Sequence, residues 1–392
     1  MTTPGVRPRP VPADASSRSA DLVRPAYGSA SLGDLMPSIG AHLGVPGCRE
    51  DVLGLPAADR YVVVLVDGLG WNLLRRSARE VPYLASLLGD AQAITSGVPS
   101  TTVTSLGSLG TGLVPGQHGM VGYTSRVPAT GEVLNALTWE SDLSARSYQP
   151  KPTFFERATT AGVAVSSVAL QRFAETGLTE AVLRGAEFLG YDDDHDVAPR
   201  MALTLAGSAR GPRSIVYGYE RALDHQGHAT GSASAEWRWE LVQVDRHCEA
   251  LRDALPEDVR LLITADHGML DVPPDQRVVV EDEPQLVAGV TVLAGEPRFR
   301  QLYVDQDRPE RVAERWRDRL GPNAWVRTRD EAIEDGWFGP VDDDLRERYG
   351  HVLVAMRNER AVMTRGMPRE LTLVGMHGSL TADEMLVPLL ID

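Results

Sequence analysis

The sequence has little that would tie it to a membrane, an oxidising compartment or a polyanion. It holds two cysteines, Cys48 and Cys248, in 392 residues. They form neither a CxxC metal pattern nor a disulfide framework, so they read as reduced thiols. No apolar run approaches the ~18 residues of a membrane span. The opening "MTTPGVRPRPVPADASSRSADLVRPAYG" has arginines and prolines but no apolar stretch of the kind a secretory signal needs. It predicts a flexible or loosely wrapped arm over residues 1–30, and a cytoplasmic location is the expectation. Basic charge is in deficit, with 39 Lys and Arg against 54 Asp and Glu and a net charge of -15. That excludes broad binding to nucleic-acid polymers or anionic membranes. A small anionic substrate stays possible, because a bound metal inverts the local field.

What is present is an ordinary globular balance, 43% hydrophobic and 24% charged. The length suits one large domain, or one with an insertion. "YVVVLVD" at 61–67 is a continuous apolar run ending in a carboxylate, as in a strand buried on both faces. Similar runs lie at 163–170, 214–220, 259–266 and 385–391. Between them, Trp237, Leu241, Val244, Cys248 and Leu251 recur at helical spacing within 234–255. Strands alternating with helices predict an α/β fold with a largely parallel sheet covered on both faces. Residues 285–348 change character and predict a small α+β insertion. The core would then be 31–284 plus 349–392.

Four segments place chemistry-bearing side chains after a predicted strand or in a late loop. They are Asp67 in "LVDGLG", Asp224 and His228 in "ALDHQGHATG", Asp266 and His267 in "ITADHGM", and His377 in "VGMHGS". Open parallel sheets bind ligands outside the carboxyl ends of their strands, so the four could share one crevice. Oxygen and nitrogen ligands of this kind suit zinc and other divalent first-row metals. Taken singly, each has a plain alternative: "DG" after a strand is usually a turn, and a lone His in a loop is usually solvated. Their joint occurrence carries the reading. His42, His195, His247 and His351 lack that context and read as structural or surface residues. His118 and His225 lie near the site without a role.

The stretch "VPSTTVTSLGSLGTG" (98–112) adds a hydroxyl cluster. Val103, Leu106, Leu109 and Leu113 fall at helical spacing, which predicts a helix starting near Thr102. Its free backbone N–H groups would favour an anion. A metal beside Thr102 would lower the pKa of its hydroxyl.

These residues, in this order, resemble the nucleotide pyrophosphatase/phosphodiesterase branch of the alkaline phosphatase superfamily, from about Tyr61 to the C-terminus. The resemblance implies a three-layer α/β/α sandwich with a mostly parallel central sheet. It places the nucleophile at Thr102, with Thr101 the neighbour if the register shifts by one. It implies two divalent ions, Zn2+ first and Mn2+ or another first-row metal as the alternative. Asp224, His228 and His377 would hold one, and Asp67, Asp266, His267 and the Thr102 oxygen the other. The implied reaction is cleavage of a small phosphodiester or nucleotide through a phospho-threonine. Ser105 is assigned as a donor to a phosphate oxygen, with a shorter reach than an asparagine would have. No aromatic pair for a nucleobase is evident; Tyr123, Phe173 and Tyr219 are candidates that read equally as core.

Three rivals share the superfamily. A sulfatase would need a C/S-x-P-x-R context, which neither cysteine has. A phosphomonoesterase would favour Ser as nucleophile and an Arg nearby, and none lies between Val98 and Gly119. A phosphonate hydrolase would want a Lys or Arg for a substrate carboxylate. Lysine is extremely scarce, and Lys151 is the one to test. A non-catalytic metal-binding protein is the remaining alternative, although every expected group is present.

Overall fold

The computed structural model describes residues 22–304 and 308–392. Its centre is a seven-stranded sheet built from β1 (Arg60–Val66), β2 (Gln92–Thr95), β3 (Ala164–Leu170), β4 (Glu187–Tyr191), β5 (Ser214–Glu220) and β6 (Val259–Thr264), closed by the C-terminal Leu386–Ile391. The spatial order is β2, the C-terminal strand, β6, β1, β5, β3, β4. The pairs β6–β1, β1–β5, β5–β3 and β3–β4 are parallel. The C-terminal strand alone runs against its neighbours, β2 and β6. The apolar runs read from the sequence thus become strands, and Tyr61–Val66 is buried throughout.

Helices cover both faces. Side chains alternate across a strand, so Val216 and Tyr217 point oppositely. α1 (Thr102–Thr111) and α2 (Phe154–Thr160) lie on the Tyr217 side, where the Phe155 and Tyr217 ring centroids are 6.1 Å apart. α3 (Val197–Ser208) lies on the Val216 side; a Cβ on its Gly207 would sit 3.0 Å from Val216 Cγ2. α4 (Ala222–Thr230) leads into α5 (Ala235–Ala254), capped by the Ser234 hydroxyl accepting from Trp237 N–H. The stripe Trp237, Leu241, Val244, Cys248 and Leu251 is buried, as its spacing predicts.

A second, antiparallel sheet follows: β7 (Val290–Glu296), β8 (Phe299–Val304), β9 (Ala324–Thr328) and β10 (Val352–Met356), in the order β7-β8-β10-β9. Its strand β10 lies beyond residue 348, so the sheet continues past the stretch marked by the change in composition. One face packs against α6 (Pro309–Leu320) through Val312, Trp316 and Leu320. The other buries Phe299, Leu353 and Ala355 with Val98, Val121, Leu380 and Met385 of the core. This face joins the second sheet to the loops that flank α1. Most of the expected N-terminal arm lies outside the described residues. Within them, Val23 N–H donates to the Leu380 carbonyl (2.9 Å) and Tyr27 Oη to the Trp337 carbonyl (2.9 Å). Among the described residues, no helix is long and apolar enough to cross a membrane.

Arg298, in the β7–β8 turn, clamps the two sheets together. Its Nε and Nη2 each donate to Glu384 at 2.7 Å, and both side chains are wholly buried. Glu384 also accepts from Ser379 N–H (3.0 Å), two residues past His377. Arg298→Met, which strands the Glu384 charge, should therefore cost about 3–5 kcal/mol by urea unfolding. The double variant Arg298→Met/Glu384→Leu should recover most of it.

Candidate active site

The site lies at the carboxyl edge of the parallel strands. Asp67 follows β1 directly, and Asp266 and His267 follow β6 one residue on. Asp224 sits in the first turn of α4, just past β5, and His228 one turn later on the same face. His377 comes from the loop before the C-terminal strand. Two glycines are sterically required for this convergence. A Cβ at Gly68 (φ 75°) would sit 3.1 Å from Asp224, and one at Gly268 only 2.0 Å from the Asp383 carbonyl.

Each imidazole is held by the same device. His228 Nδ1 donates to the Gly375 carbonyl (2.8 Å), His267 Nδ1 to that of Gly268 (2.9 Å) and His377 Nδ1 to that of Ser100 (3.0 Å). A ring whose Nδ1–H is tied to a carbonyl presents a bare Nε2. His228 Nε2 lies 3.3 Å from Asp224 Oδ2, and His377 Nε2 3.9 Å from Asp224 Oδ1. His267 Nε2 lies 3.4 Å from both Asp67 Oδ1 and Asp266 Oδ2. Ligand atoms of Asp67, Asp266 and His267 fall within 4.8 Å of one another, as do those of Asp224, His267 and His377. His267 is thus close to both groups, while the His267 and His377 rings stack at 3.6 Å.

The electrostatics call for a cation. Asp67 Oδ1, Asp224 Oδ1 and Asp266 Oδ2 are buried without a hydrogen-bond partner among the described residues. Burial, then the neighbouring Asp266 and Asp224, push the Asp67 carboxyl well above the usual range. Burial, then His267 and His377's other neighbour His228, hold the His377 imidazole well below its ordinary value. Orphaned carboxylate oxygens facing bare imidazole nitrogens are a donor set that fits divalent metal ions.

Thr102 opens α1, and its Oγ1 lies 3.2 Å from His267 Nε2. The N-cap, Thr101, makes no side-chain cap, so the first-turn N–H groups keep no side-chain acceptor. Ser105 requires a correction. It is fully buried and outside the cavity lining, and its hydroxyl donates to the Asp266 carbonyl at 2.7 Å. Ser96 Oγ donates to the same oxygen at 2.6 Å. The single Ser105 proton is spent on pinning the Asp266 segment to α1, which leaves none for a phosphate.

A cavity of about 590 Å3 opens beside these groups. Tyr123, Phe173 and Tyr219 all line it and are half-buried, and Phe173 and Tyr219 also pack against the main core. Tyr219 Oη makes a short hydrogen bond to Asp67 Oδ2, and its ring meets Phe173 edge-on. Asn135 Nδ2 donates to Tyr123 Oη at 3.1 Å. Leu106, Leu178, Leu183 and Phe188 form an apolar wall. Lys151 lies outside the lining and pairs with Asp342 at 2.7 Å. The cavity's basic side chains are instead Arg221 and Arg369, which sequence reasoning missed. It also missed Glu296, at the end of β7, because "GVTVLAGEP" carries no motif. Burial pushes the Glu296 carboxyl up to about 8, opposed by a hydrogen bond from Thr101.

The remaining histidines have local partners. His42 contacts Asp51 (3.0 Å), His195 contacts Glu240 (3.1 Å), and His351 Nδ1 accepts from Val304 N–H (2.9 Å). His247 is buried 4.0 Å from Glu220. His118 is buried against Ser108, and His225 reaches the cavity lining.

This sheet, with its ligand groups gathered at one edge, is the fold of the alkaline phosphatase superfamily, whose members are metal-dependent. The chain belongs to the type I phosphodiesterase / nucleotide pyrophosphatase family, whose sequence profile matches residues 61–380. Among solved structures it resembles murine ectonucleotide pyrophosphatase/phosphodiesterase 5, with a TM-score of 0.67 at 18% identity, covering 84% of this chain and 87% of that one. It also resembles phosphonoacetate hydrolase from Sinorhizobium meliloti 1021, solved with phosphonoformate, with a TM-score of 0.67 at 19% identity, covering 86% and 91%. No curated protein sequence matches the chain.

If a cation relieves the crowded carboxylates, zinc at a thousandfold excess over its Kd should add about 4 kcal/mol to stability. The check is a rise in Tm that chelation reverses. Tyr219→Phe, which removes a hydrogen bond from a ligand carboxylate, should weaken zinc binding about 10–100-fold by competition with a chelating dye.

Proposed function

We propose that the chain is a two-metal hydrolase of phosphodiester or pyrophosphate bonds that works through a phospho-threonine at Thr102. The observation that carries the reading is the meeting of the pocket-lining Thr102 hydroxyl, three orphaned carboxylate oxygens and three imidazoles with unprotonated Nε2 atoms. Asp224, His228 and His377 would hold one ion; Asp67, Asp266, His267 and the Thr102 oxygen would hold the other. Two divalent ions, Zn2+ by preference, would supply Lewis-acid stabilisation of charge on phosphorus and on the attacking and leaving oxygens.

The protein's own groups do the rest. The Thr102 oxygen attacks phosphorus, the P–O bond to the leaving group breaks, and the leaving oxygen departs opposite. Water then cleaves the phospho-threonine and regenerates the hydroxyl. N–H groups of the first turn of α1 would stabilise charge on the transferring group. The apolar wall of Leu106, Leu178, Leu183 and Phe188 leaves room for a second substituent on phosphorus, which favours a diester over a monoester. A nucleotide is the substrate class suggested by the family and by the murine neighbour, an inactive form of which was solved with AMP. Tyr123, Phe173 and Tyr219 would be its ring contacts. A cytoplasmic setting, with no polymer or membrane partner, accords with the net charge of -15.

A second reading has one observation in its favour. Arg369 is exposed at the cavity and has room to meet a carboxylate, as a phosphonate hydrolase would need.

Zinc-loaded protein should hydrolyse bis-p-nitrophenyl phosphate faster than p-nitrophenyl phosphate. Thr102→Ala should still bind zinc and lose on the order of 1000-fold or more in turnover. Full turnover in that variant removes Thr102 from the chemistry. A preference for phosphonoacetate that Arg369→Ala abolishes moves the assignment to carbon–phosphorus cleavage.

A further inference from the structure

Two carboxyl groups of the cavity are used by neither the metal ligands nor the nucleophile: Glu370, which pairs with Arg300, and Glu296. Glu296 comes from the second sheet, at the last position of β7, and crosses to the site carried by the first. It is 4% exposed and still lines the cavity. Its Oε1 is buried with no hydrogen-bond partner among the described residues. Its Oε2 lies 3.8 Å from His377 Nδ1, whose proton already goes to the Ser100 carbonyl.

The fold makes space for this side chain at one position without a Cβ: a Cβ at Gly378 (φ 126°) would lie 2.7 Å from Glu296 Cγ. Gly295, just before it, has φ 81°, and a Cβ there would lie 2.1 Å from the Phe299 carbonyl. The chain is therefore bent at a position only glycine fits, and the bend delivers the carboxyl.

The Thr101 hydroxyl bonds to the Glu296 carboxyl yet leaves Oε1 without a partner, the Arg369 guanidinium is exposed at the cavity, and three other nearby donors are committed elsewhere. Arg300 forms a bidentate pair with Glu370, Arg221 donates to Asp194 at 2.7 Å, and the Tyr219 hydroxyl is bonded to Asp67. A buried carboxylate oxygen without a donor costs stability, and such orphans in native structures call for an explanation. Substrate is the source of a donor that this geometry leaves open.

We propose that Glu296 is a specificity residue: Oε1 accepts a hydrogen bond from the non-leaving alcohol of the substrate. The preferred substrates are then phosphodiesters whose alcohol carries a hydroxyl or an ammonium group near the phosphorus. The inference rests on the phosphodiesterase reading and names the substrate class within it.

The test uses three p-nitrophenyl phosphodiesters that differ in one group: ethyl, 2-hydroxyethyl and 2-aminoethyl. The zinc-loaded protein should prefer one of the donor-bearing esters over the ethyl ester by about 10-fold in kcat/KM, mostly through KM, since one good hydrogen bond to an otherwise unpartnered buried oxygen is worth about that much. Whether the hydroxyl or the ammonium ester leads identifies the donor. In Glu296→Ala and Glu296→Leu that ratio should fall to near one, with zinc content unchanged. No preference in the wild type, or a preference that survives both substitutions, overturns the proposal. So does an equal loss on all three esters with loss of zinc, which would make Glu296 a prop for His377. If the wild type cleaves none of them, the phosphodiesterase reading fails. The Glu296 assignment is then decided by calorimetry, in which O-phosphoethanolamine or glycerol phosphate should bind at least tenfold tighter than ethyl phosphate, and equal affinities reject it.

Discussion

Three aspartates, Asp67, Asp224 and Asp266, converge in one buried pocket, each with an oxygen that has no hydrogen-bond partner among the described residues, and this crowding governs the site. Like charges held close in a low-dielectric setting raise one another's pKa, and burial adds to the effect. The Asp67 carboxyl, pushed well above its usual range by burial and then by Asp266 and Asp224, shows that effect. The fold nevertheless spends considerable structure on keeping the groups where they are. Every site imidazole has its Nδ1 tied to a backbone carbonyl, and glycines let the Asp67 and Asp266 segments approach their neighbours. Ser96, just after β2, and Ser105 of α1 both fix the Asp266 carbonyl. An arrangement that is unfavourable when empty and is held rigid is what preorganised metal binding requires.

The second sheet belongs to the same argument. Its inner face closes over Val98, Val121, Leu380 and Met385, which flank α1 and the His377 loop. The Arg298–Glu384 pair ties that face to the His377 loop through Ser379 N–H. The second sheet thereby fixes the loop that carries His377. It also carries Glu296 into the cavity, so the polarity of the substrate pocket is set partly by a strand from outside the main sheet.

How much of this was legible in the sequence depends on whether a signal was local. Asp67, Asp266 and His267 were readable because each follows a continuous apolar run, and a buried parallel strand is the clearest pattern a sequence offers. Asp224 and His228 were readable from i,i+4 spacing. The helix at Thr102 was readable from its leucines and small residues. Ser105 was misread because its spacing from Thr102 is visible, whereas its bond to the Asp266 carbonyl joins segments 161 positions apart. Tyr219 was seen only as an aromatic, since its hydroxyl meets Asp67 across 152 positions. Lys151 drew notice through rarity, yet rarity says nothing about where a side chain points, and Asp342 holds it away from the cavity. The boundary at 348 failed to include β10 because Val352–Met356 is an apolar run indistinguishable from a core strand.

The same logic explains why ligand positions were more legible than substrate contacts. Metal ligands must be a few residue types at fixed geometry, so they sit beside glycines at strand ends and leave a short written signature. The side chains that line the rest of the cavity can be of many types and arrive from distant elements: Tyr123 from a loop after α1, Leu178 from beyond β3, Arg369 from beyond β10, Glu296 from the second sheet. Chemistry is therefore specified by one edge of the first sheet, and selectivity by what the rest of the chain lays over it. A chain that shares under 20% identity with its structural neighbours can keep the first and change the second.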